Sequence, residues 1–473
     1  MLFNSLTFVV FFALVLTLHN LPFSWRVKKS NLLLASYLFY AAWNPPFVLL
    51  LWLSTLVDWF VAKAIYVEQR RARRRALLAI SIAINLGVLA FFKYGEFLLS
   101  NWQDLLAAFG IEYQPAAWSI VLPVGISFYT FQTMAYSLDI YLRRAKPARS
   151  FLDFALFVTF FPQLVAGPIV RPTHLVPQFA TPRVATRDQL MWGLALITLG
   201  MFEKVVIADG ALAPVSDTVF GADEPLYFVD AWLGVIAFSG QIFCDFAGYS
   251  TTAIGVALCL GFSLPNNFCF PYAAIGFSDF WRRWHISLSS WLRDYLYVPL
   301  GGNRKGNWRT YANLMTTMLL GGLWHGASWT FVAWGGLHGF YLAAERWLRA
   351  RFSAAKFTNS LVFKVTAGLL TYLLINVSWV FFRARDFGTA GRLLNSMFGL
   401  AEGGIMLVPT IGVVMTPVVM SILVAIHWFM KDRSLERLVE KSPWWLVASA
   451  WASMLFLIFI TQGSGDAFIY FQF

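Results

Sequence analysis

The longest uncharged stretch of the chain spans residues 310–344 and reads TYANLMTTMLLGGLWHGASWTFVAWGGLHGFYLAA. A straight helix over this stretch would be about 52 Å long at 1.5 Å per residue, whereas the hydrocarbon core of a bilayer is about 30 Å thick. The stretch must therefore bend, break or turn back. Its glycines supply the flexible points, and they are Gly321, Gly322, Gly326, Gly335, Gly336 and Gly339.

The composition of the whole chain is that of a membrane protein. Of its 473 residues, 59% are hydrophobic and 13% are charged, whereas an ordinary soluble domain has roughly 25% charged residues. A surface that faces water could not hide so much apolar side chain. The composition therefore nearly excludes a soluble enzyme, a disordered scaffold and a secreted disulfide framework, and a polytopic membrane protein remains.

The net charge of +12 comes from 36 Lys and Arg against 24 Asp and Glu. The basic residues form short runs between apolar stretches, which is typical of cytoplasmic loops in membrane proteins. No nucleic-acid partner is therefore expected. The cysteines Cys244, Cys259 and Cys269 lack zinc-site spacing and lie in apolar surroundings, so we expect buried packing residues and no metal.

The basic loops also predict the order of the spans. The first apolar run, residues 4–22, is followed by Arg26, Lys28 and Lys29, which places the N-terminus outside and the first loop in the cytoplasm. Residues 151–170 are interrupted by prolines and a glycine and are predicted to be re-entrant or broken. An acidic stretch that contains Asp209 is predicted to be an external loop. Further spans are predicted over residues 30–43, 46–65, 76–100, 118–141, 189–207, 361–381, 405–428 and 443–462, with residues 464–473 outside.

One region does not fit the alternation of cytoplasmic and external loops. Residues 229–244 and 246–264 are two apolar runs, yet residues 279–309 are basic and should be cytoplasmic, so one run is expected to be incomplete. The pattern as a whole predicts an all-α polytopic membrane protein with about 11 transmembrane helices plus re-entrant and amphipathic helices. The chain is predicted to form a single integral-membrane domain over residues 1–473.

His325 is the polar residue whose position is most informative, because it lies near the middle of the uncharged stretch. A histidine at that depth is costly unless it is hydrogen-bonded or lines a wet cavity. Neutral imidazole is a common general base near pH 7. Position alone leaves two interpretations open: a catalytic base, or a histidine that packs between helices. His338 is interpreted as structural.

A second group of polar residues follows the pattern of an amphipathic helix over residues 279–295. Trp281, Trp284 and His285 fall on one face, and Arg282 and Arg293 fall largely elsewhere. This helix suits the membrane interface, and it is interpreted either as an anchor or as a cytoplasmic lip that guides an anionic cofactor. The turn at residues 301–305 is a weak phosphate signal, and Asp245, between two apolar runs, is interpreted as a capping or packing residue.

These segments together resemble the membrane-bound O-acyltransferase (MBOAT) family, in its branch of membrane proteins for alginate and other exopolysaccharide O-acetylation. The resemblance runs over nearly the whole chain and is carried by residues 123–132, 160–172, 244–250, 280–302, 323–326 and 468–473. It implies an MBOAT fold with a central funnel. It also implies that His325 matches the active-site histidine of the family and that His285 matches the second histidine of this branch.

The resemblance further implies the chemistry. An acyl thioester, expected to be acetyl-CoA, would enter from the cytoplasm, and His325 would act as general base on an acceptor hydroxyl. The oxyanion donor is left open between His285, Asn313 and Asp279. The donor phosphates would meet a basic face formed by Arg282, Arg283, Arg293, Arg304 and Lys305.

The expected location is the bacterial inner membrane, surrounded by lipid and with a periplasmic N-terminus, and the expected partners are periplasmic polysaccharide O-acetylation proteins. The polymer, alginate or cellulose for example, is not specified by the sequence. Two alternatives remain: D-alanyl transfer for teichoic acid, which needs a carrier-protein thioester, and a non-enzymatic lipid or polymer transporter. Many transporters carry internal repeats, and none is found here.

Overall fold

The computed structural model describes residues 1–115, 120–352 and 360–461. Across these ranges the regular elements are helical, and Leu226 and Ile405 form an isolated bridge. Seven of the described helices are long and apolar enough to cross a membrane. The prediction of an all-α polytopic membrane protein is confirmed, whereas the count of about 11 spans is not. The predicted external residues 464–473 and the motif at 468–473 lie outside the described residues.

The chain forms two compact units, and the first contains Met1–Leu194 and Ala253–Pro265. A short 3₁₀ turn, Pro45–Phe47, precedes its third helix. The helices of this unit are α1 (Leu6–Asn20), α2 (Trp25–Ala41), α3 (Val48–Val67), α4 (Arg71–Ala108), α5 (Ile126–Tyr141), α6 (Phe151–Thr159), α7 (Phe161–Leu164) and α8 (Pro172–Phe179). The interruption predicted within residues 151–170 is confirmed, because α6 and α7 are short and residues 165–171 are not helical.

Two buried carboxylates of the first unit, Asp58 and Asp153, are paired with other polar side chains. The carboxylate of Asp58, which is fully buried, accepts hydrogen bonds from Ser81, from Ser137 Oγ at 2.7 Å and from Asn85 Nδ2 at 2.7 Å. Lys29 forms an ion pair with Asp153. Such pairing is needed because an unpaired buried polar group costs about 1–3 kcal/mol or more.

The second unit contains Ala195–Thr252 and the chain from Asn266 onward. Helices α9 (Arg187–Met201) and α11 (Phe228–Cys259) have residues in both units. The other helices of the second unit are α10 (Ala213–Phe220), α12 (Phe277–Arg283), α13 (Ile286–Leu292), α14 (Gly306–His325), α15 (Trp329–Phe352), α16 (Leu361–Arg383), α17 (Phe387–Met397), α18 (Thr410–Met430), α19 (Leu435–Lys441) and α20 (Trp444–Thr461). Its core contains the fully buried rings of Trp284, Trp334 and Trp379.

Three sequence predictions for residues of the second unit are wrong. The two apolar runs between residues 229 and 264 belong to one 32-residue helix, α11. Asp209 is not in an external loop: it is buried in a π-helical segment, Phe202–Leu212. Lys204 Nζ lies 2.7 Å from Asp209 Oδ1 and 2.5 Å from Asp245 Oδ1. This pairing lets the carboxylate of Asp245 sit inside a helix. Cys269, expected to be buried, is exposed.

The break predicted within residues 310–344 is confirmed. Helix α14 ends at His325 and α15 begins at Trp329. The two helices approach so closely that glycine is required: a Cβ added at Gly322 would lie 2.2 Å from the carbonyl oxygen of Phe331, and one at Gly335 would lie 2.3 Å from that of Met318. The small residues therefore let two backbones pack directly against each other.

Substitution of Gly335 by alanine is predicted to destabilise the helix pair. The added methyl group meets backbone, which cannot move aside as a side chain does, so the expected loss is about 1–3 kcal/mol in the free energy of unfolding. Gly336→Ala is the matched control, because its Cβ would meet only Leu319 Cδ2 at 3.5 Å. Thermal unfolding in detergent checks the prediction, and equal melting temperatures for the two variants would contradict it.

Candidate functional site

The imidazole of His325 is enclosed by aromatic rings. Its own exposure is 3%, and it is the last residue of α14. The ring centroids of Trp324, Trp334 and Phe382 lie 5.0, 5.1 and 5.3 Å from that of His325, with the Trp334 and Phe382 rings close to edge-on. The break after α14 thus places the histidine in apolar, nearly dry surroundings, where electrostatic interactions are strong.

His285 lies beside His325. Their ring centroids are 6.2 Å apart, and His285 is fully buried against Phe246, whose ring is 4.7 Å away. The predicted amphipathic helix over residues 279–295 is not continuous. It is interrupted at Trp284 and His285, between α12 and α13, and continues after α13 as a π-helical turn. His285 has a φ of 43°, in the left-handed region, which a residue with a Cβ adopts only at a cost.

Asn267 holds this interruption in place. Its backbone carbonyl accepts a hydrogen bond from Ile286 N at 2.8 Å. Its side-chain oxygen accepts from Ser287 N at 3.2 Å and from Ser287 Oγ at 2.9 Å, and its Nδ2 donates to Ser250 Oγ at 3.1 Å. Asn267 therefore satisfies the first turn of α13 directly after His285. Nothing local in the sequence links Asn267 to that turn, so its role could not be predicted.

A cavity of about 910 Å³ in the second unit reaches His325. One face of α14 lines it through Leu314, Thr317, Met318, Gly321 and His325. These positions recur at helical spacing. From Tyr311, which also lines the cavity, to His325 the helix rises about 21 Å at 1.5 Å per residue. The cavity thus follows α14 over most of its length.

Basic residues line the cavity away from His325. Arg346 and Arg349, late in α15, lie near the start of α14, because the two helices are antiparallel. Arg282 and Arg293 also line it. Glu345 is the one carboxylate of the lining residues, and its Oε1 lies 2.5 Å from Arg349. Arg349 is paired with Glu345 and Arg293 with Asp294, whereas Arg282 and Arg346 form no ion pair within the described part of the chain. The excess of arginine in the lining favours an anionic group in the cavity.

The five predicted donor-binding residues are therefore not all brought together. Arg282 and Arg293 line the cavity, and the Asp294 carboxylate, 2.8 Å from Arg293 Nε, raises the pKa of Arg293 above its ordinary value. Arg283 does not line it. Its guanidinium is bound by Asp279 at 3.0 Å and by the carbonyl oxygens of Cys269 and Lys431.

Arg304 and Lys305 are exposed in the turn before α14 and are not lining residues. In the sequence, Arg346 and Arg349 follow the uncharged stretch 310–344 and indicate only a cytoplasmic loop. No local signal could have assigned them to the cavity, since only the return of α15 along α14 brings them to it.

The other residues considered for oxyanion stabilisation are engaged elsewhere. Asn313 Nδ2 donates to the carbonyl oxygen of Gly302 at 2.9 Å, and Asp279 accepts from Ile275 N at 3.1 Å in addition to its pairing with Arg283. His338 is buried, with Nε2 3.1 Å from Ser378 Oγ. Among the residues that the structure describes, no three His, Cys, Asp or Glu side chains come together as a metal site.

Asn267→Ala is predicted to destabilise the second unit. The substitution removes the acceptor for two groups of Ser287 and the donor to Ser250 in a buried setting, which costs about 1–3 kcal/mol. Ser250→Ala is the control, because it removes only the acceptor of Asn267 Nδ2 and leaves both hydrogen bonds from Ser287 to the side chain of Asn267. Thermal unfolding should rank the parent above Ser250→Ala and Ser250→Ala above Asn267→Ala. An Asn267→Ala variant as stable as the parent would contradict the role assigned to Asn267.

Comparison with known proteins supplies the family. The model of the MBOAT, membrane-bound O-acyltransferase, family matches residues 142–377, which include both histidines and all lining residues of the cavity. The probable alginate O-acetylase AlgI of Pseudomonas putida is 42% identical over 407 residues, which are 85% of this chain and 81% of that protein.

Two further relatives carry other names. The peptidoglycan O-acetyltransferase of Helicobacter pylori is 40% identical over 398 residues, 79% of this chain and 74% of that protein. The teichoic acid D-alanyltransferase of Streptococcus thermophilus is 30% identical over 246 residues, 48% of this chain and 58% of that protein. The extent and identity of these matches show that the chain belongs to the membrane-bound O-acyltransferase family and is a multi-pass membrane acyltransferase.

Proposed function

We propose that this protein transfers an acetyl group from a cytoplasmic acyl thioester for O-acetylation of a polysaccharide outside the membrane, with His325 as general base. The observation that carries the proposal is the position of His325 on the wall of a cavity that four arginines also line. The names of the relatives that match most of the chain, an alginate O-acetylase and a peptidoglycan O-acetyltransferase, support acetyl transfer to a polymer.

The reaction proposed at His325 is a direct acyl transfer. The neutral imidazole takes the proton of the acceptor hydroxyl while the hydroxyl oxygen attacks the thioester carbonyl. The new C–O bond forms, the C–S bond breaks, and the leaving thiolate takes the proton back from the imidazolium. The immediate acceptor is proposed to be a hydroxyl group presented from the outer side. His285, 6.2 Å from His325 between ring centroids, is proposed to stabilise the oxyanion.

The aromatic enclosure of His325 supports this chemistry. Trp324, Trp334 and Phe382 exclude bulk water from the imidazole. Exclusion of water protects a thioester from hydrolysis and strengthens the interactions that stabilise developing charge.

Acetyl-CoA is proposed as the donor. The cavity extends about 21 Å along α14 from Tyr311 to His325, a length that an extended phosphopantetheine arm can span. The phosphates of the nucleotide would then lie at the end lined by Arg282, Arg293, Arg346 and Arg349. A carrier-protein thioester, as in D-alanyl transfer, is the alternative donor, and the relative of that name matches only 48% of this chain.

The location and partners follow from the direction of transfer. The protein is proposed to lie in the bacterial inner membrane with its N-terminus in the periplasm, because Arg26, Lys28 and Lys29 follow the first apolar helix. Periplasmic polysaccharide O-acetylation proteins are proposed as partners that complete the transfer to alginate, cellulose or another polymer.

His325→Gln is predicted to abolish transfer in a protein that still folds, because glutamine has a similar size but cannot act as a base. General base catalysis contributes about 10²–10⁴-fold, so a loss of that order is expected. Release of free CoA from acetyl-CoA by the purified protein, and ester content of the polymer in cells, provide the measurements. His174→Gln is the control, since His174 is exposed and lies in the other unit. Ester content at the parental level in the His325 variant would exclude the base role, and transport without thioester cleavage would favour a transporter.

Arg282→Gln and Arg346→Gln are each predicted to raise the KM for acetyl-CoA by roughly tenfold, as expected for loss of a hydrogen bond to a charged group, with little change in kcat. The effect should shrink at high salt and disappear with acetyl-pantetheine, which carries no phosphate. Arg304→Gln and Lys305→Gln are the matched controls. If KM rose only in the control variants, the phosphates would have to bind at the exposed turn and not in the cavity. If the protein were active only with a carrier-linked thioester, acetyl-CoA would not be the donor.

A further inference from the structure

Gly321 differs from the other glycines of the α14–α15 pair. A Cβ at Gly322 or Gly335 would collide with backbone, whereas a Cβ at Gly321 would meet only one atom within 4 Å, Leu292 Cδ1 at 3.2 Å. Helix packing therefore does not require glycine at position 321. A larger side chain at position 321 would extend into the cavity, because both Gly321 and Leu292 line it.

Gly321 and Leu292 face each other one helical turn before His325. Positions 321 and 325 are four residues apart and lie on the same face of α14. The cavity residues nearer the start of α14, Tyr311 and Leu314, come two or more turns earlier. An acyl thioester that extends from the arginine-lined end to His325 must therefore run past the Gly321–Leu292 pair.

We propose that Gly321 and Leu292 set the width of the cavity just before His325 and thereby determine which acyl groups reach the base. This inference rests on the proposed function. Leu292 is 7% exposed and belongs to α13, the helix that follows the His285 interruption. The hydrogen bonds of Asn267 to Ile286 and Ser287 fix the start of that helix, which helps to hold Leu292 in place beside Gly321 in the wall of the cavity.

Substitutions that narrow or widen the cavity at Gly321 and Leu292 should have effects that depend on the size of the acyl group. Gly321→Ala and Gly321→Val narrow the cavity. Each added carbon should lower kcat/KM for acetyl-CoA by roughly tenfold or more, the usual effect of one misplaced methylene in a fitted pocket. The loss should be larger for propanoyl-CoA and butanoyl-CoA. Leu292→Ala widens the cavity at this point and should raise the rate with butanoyl-CoA relative to the rate with acetyl-CoA.

The double variant Gly321→Val/Leu292→Ala distinguishes an effect of cavity width from a general destabilisation of α14. If the two side chains share one space, the second substitution restores acetyl transfer that the first removes, and the two effects are not additive. Gly336→Ala is the matched control on α15, since its Cβ would meet only Leu319 Cδ2 at 3.5 Å and it does not line the cavity. This control should keep the parental rate with every donor.

The assay is CoA release by the full-length purified protein with the three acyl-CoA donors, after thermal unfolding has shown that each variant is folded. Should Gly321→Val not fold, Leu292→Ala against Leu292→Phe carries the test, with opposite changes in donor preference expected. Equal loss with all donors and no recovery in the double variant would overturn the proposal. An active His325→Gln variant would instead overturn the base assignment, and that result is distinguishable because it does not depend on acyl size.

Discussion

The direct contact between the backbones of α14 and α15 is the constraint on which the site depends. Gly322 and Gly335 remove the side chains that would separate the helices, and dispersion contacts between closely packed backbones replace the hydrophobic effect that is weak inside a membrane. The contact brings the end of α15, with Arg346 and Arg349, alongside the start of α14. It also leaves His325 at the turn, where the neighbouring aromatic rings can enclose it.

Some buried charged groups in both units are paired with other polar groups. Asp58 is surrounded by hydroxyl and amide donors, and Lys204 is paired with two carboxylates. Aromatic rings pack around His325, and it also lines the cavity. Its access to the cavity is the reason that we propose it as the reacting group.

The site was only partly predictable from the sequence. His325 is distinguished by its position in the longest uncharged stretch, since a mid-membrane imidazole needs a reason to be there. Arg282 and Arg293 also reach the cavity. Arg283, by contrast, is the same type of residue and lies next to Arg282, yet its guanidinium binds Asp279 and two carbonyl groups. Both arginines belong to α12, where successive side chains point in different directions. Which of them faces the cavity depends on how α12 packs in the second unit, and helical periodicity alone cannot predict that packing.

The sequence by itself determined that this is an all-α membrane protein, because long continuous apolar runs between basic loops match membrane-spanning helices and not the short alternating strands of a barrel. It also determined that residues 310–344 must break, since that stretch is longer than a bilayer is thick. Tertiary structure alone decided the rest. The merging of two apolar runs into α11 depends on the Lys204–Asp245 ion pair, and the placing of Asn267 under α13 and of Arg346 at the cavity depends on contacts between residues far apart in the chain. Such contacts are set by packing and hydrogen bonding in three dimensions, which no local pattern of residues encodes.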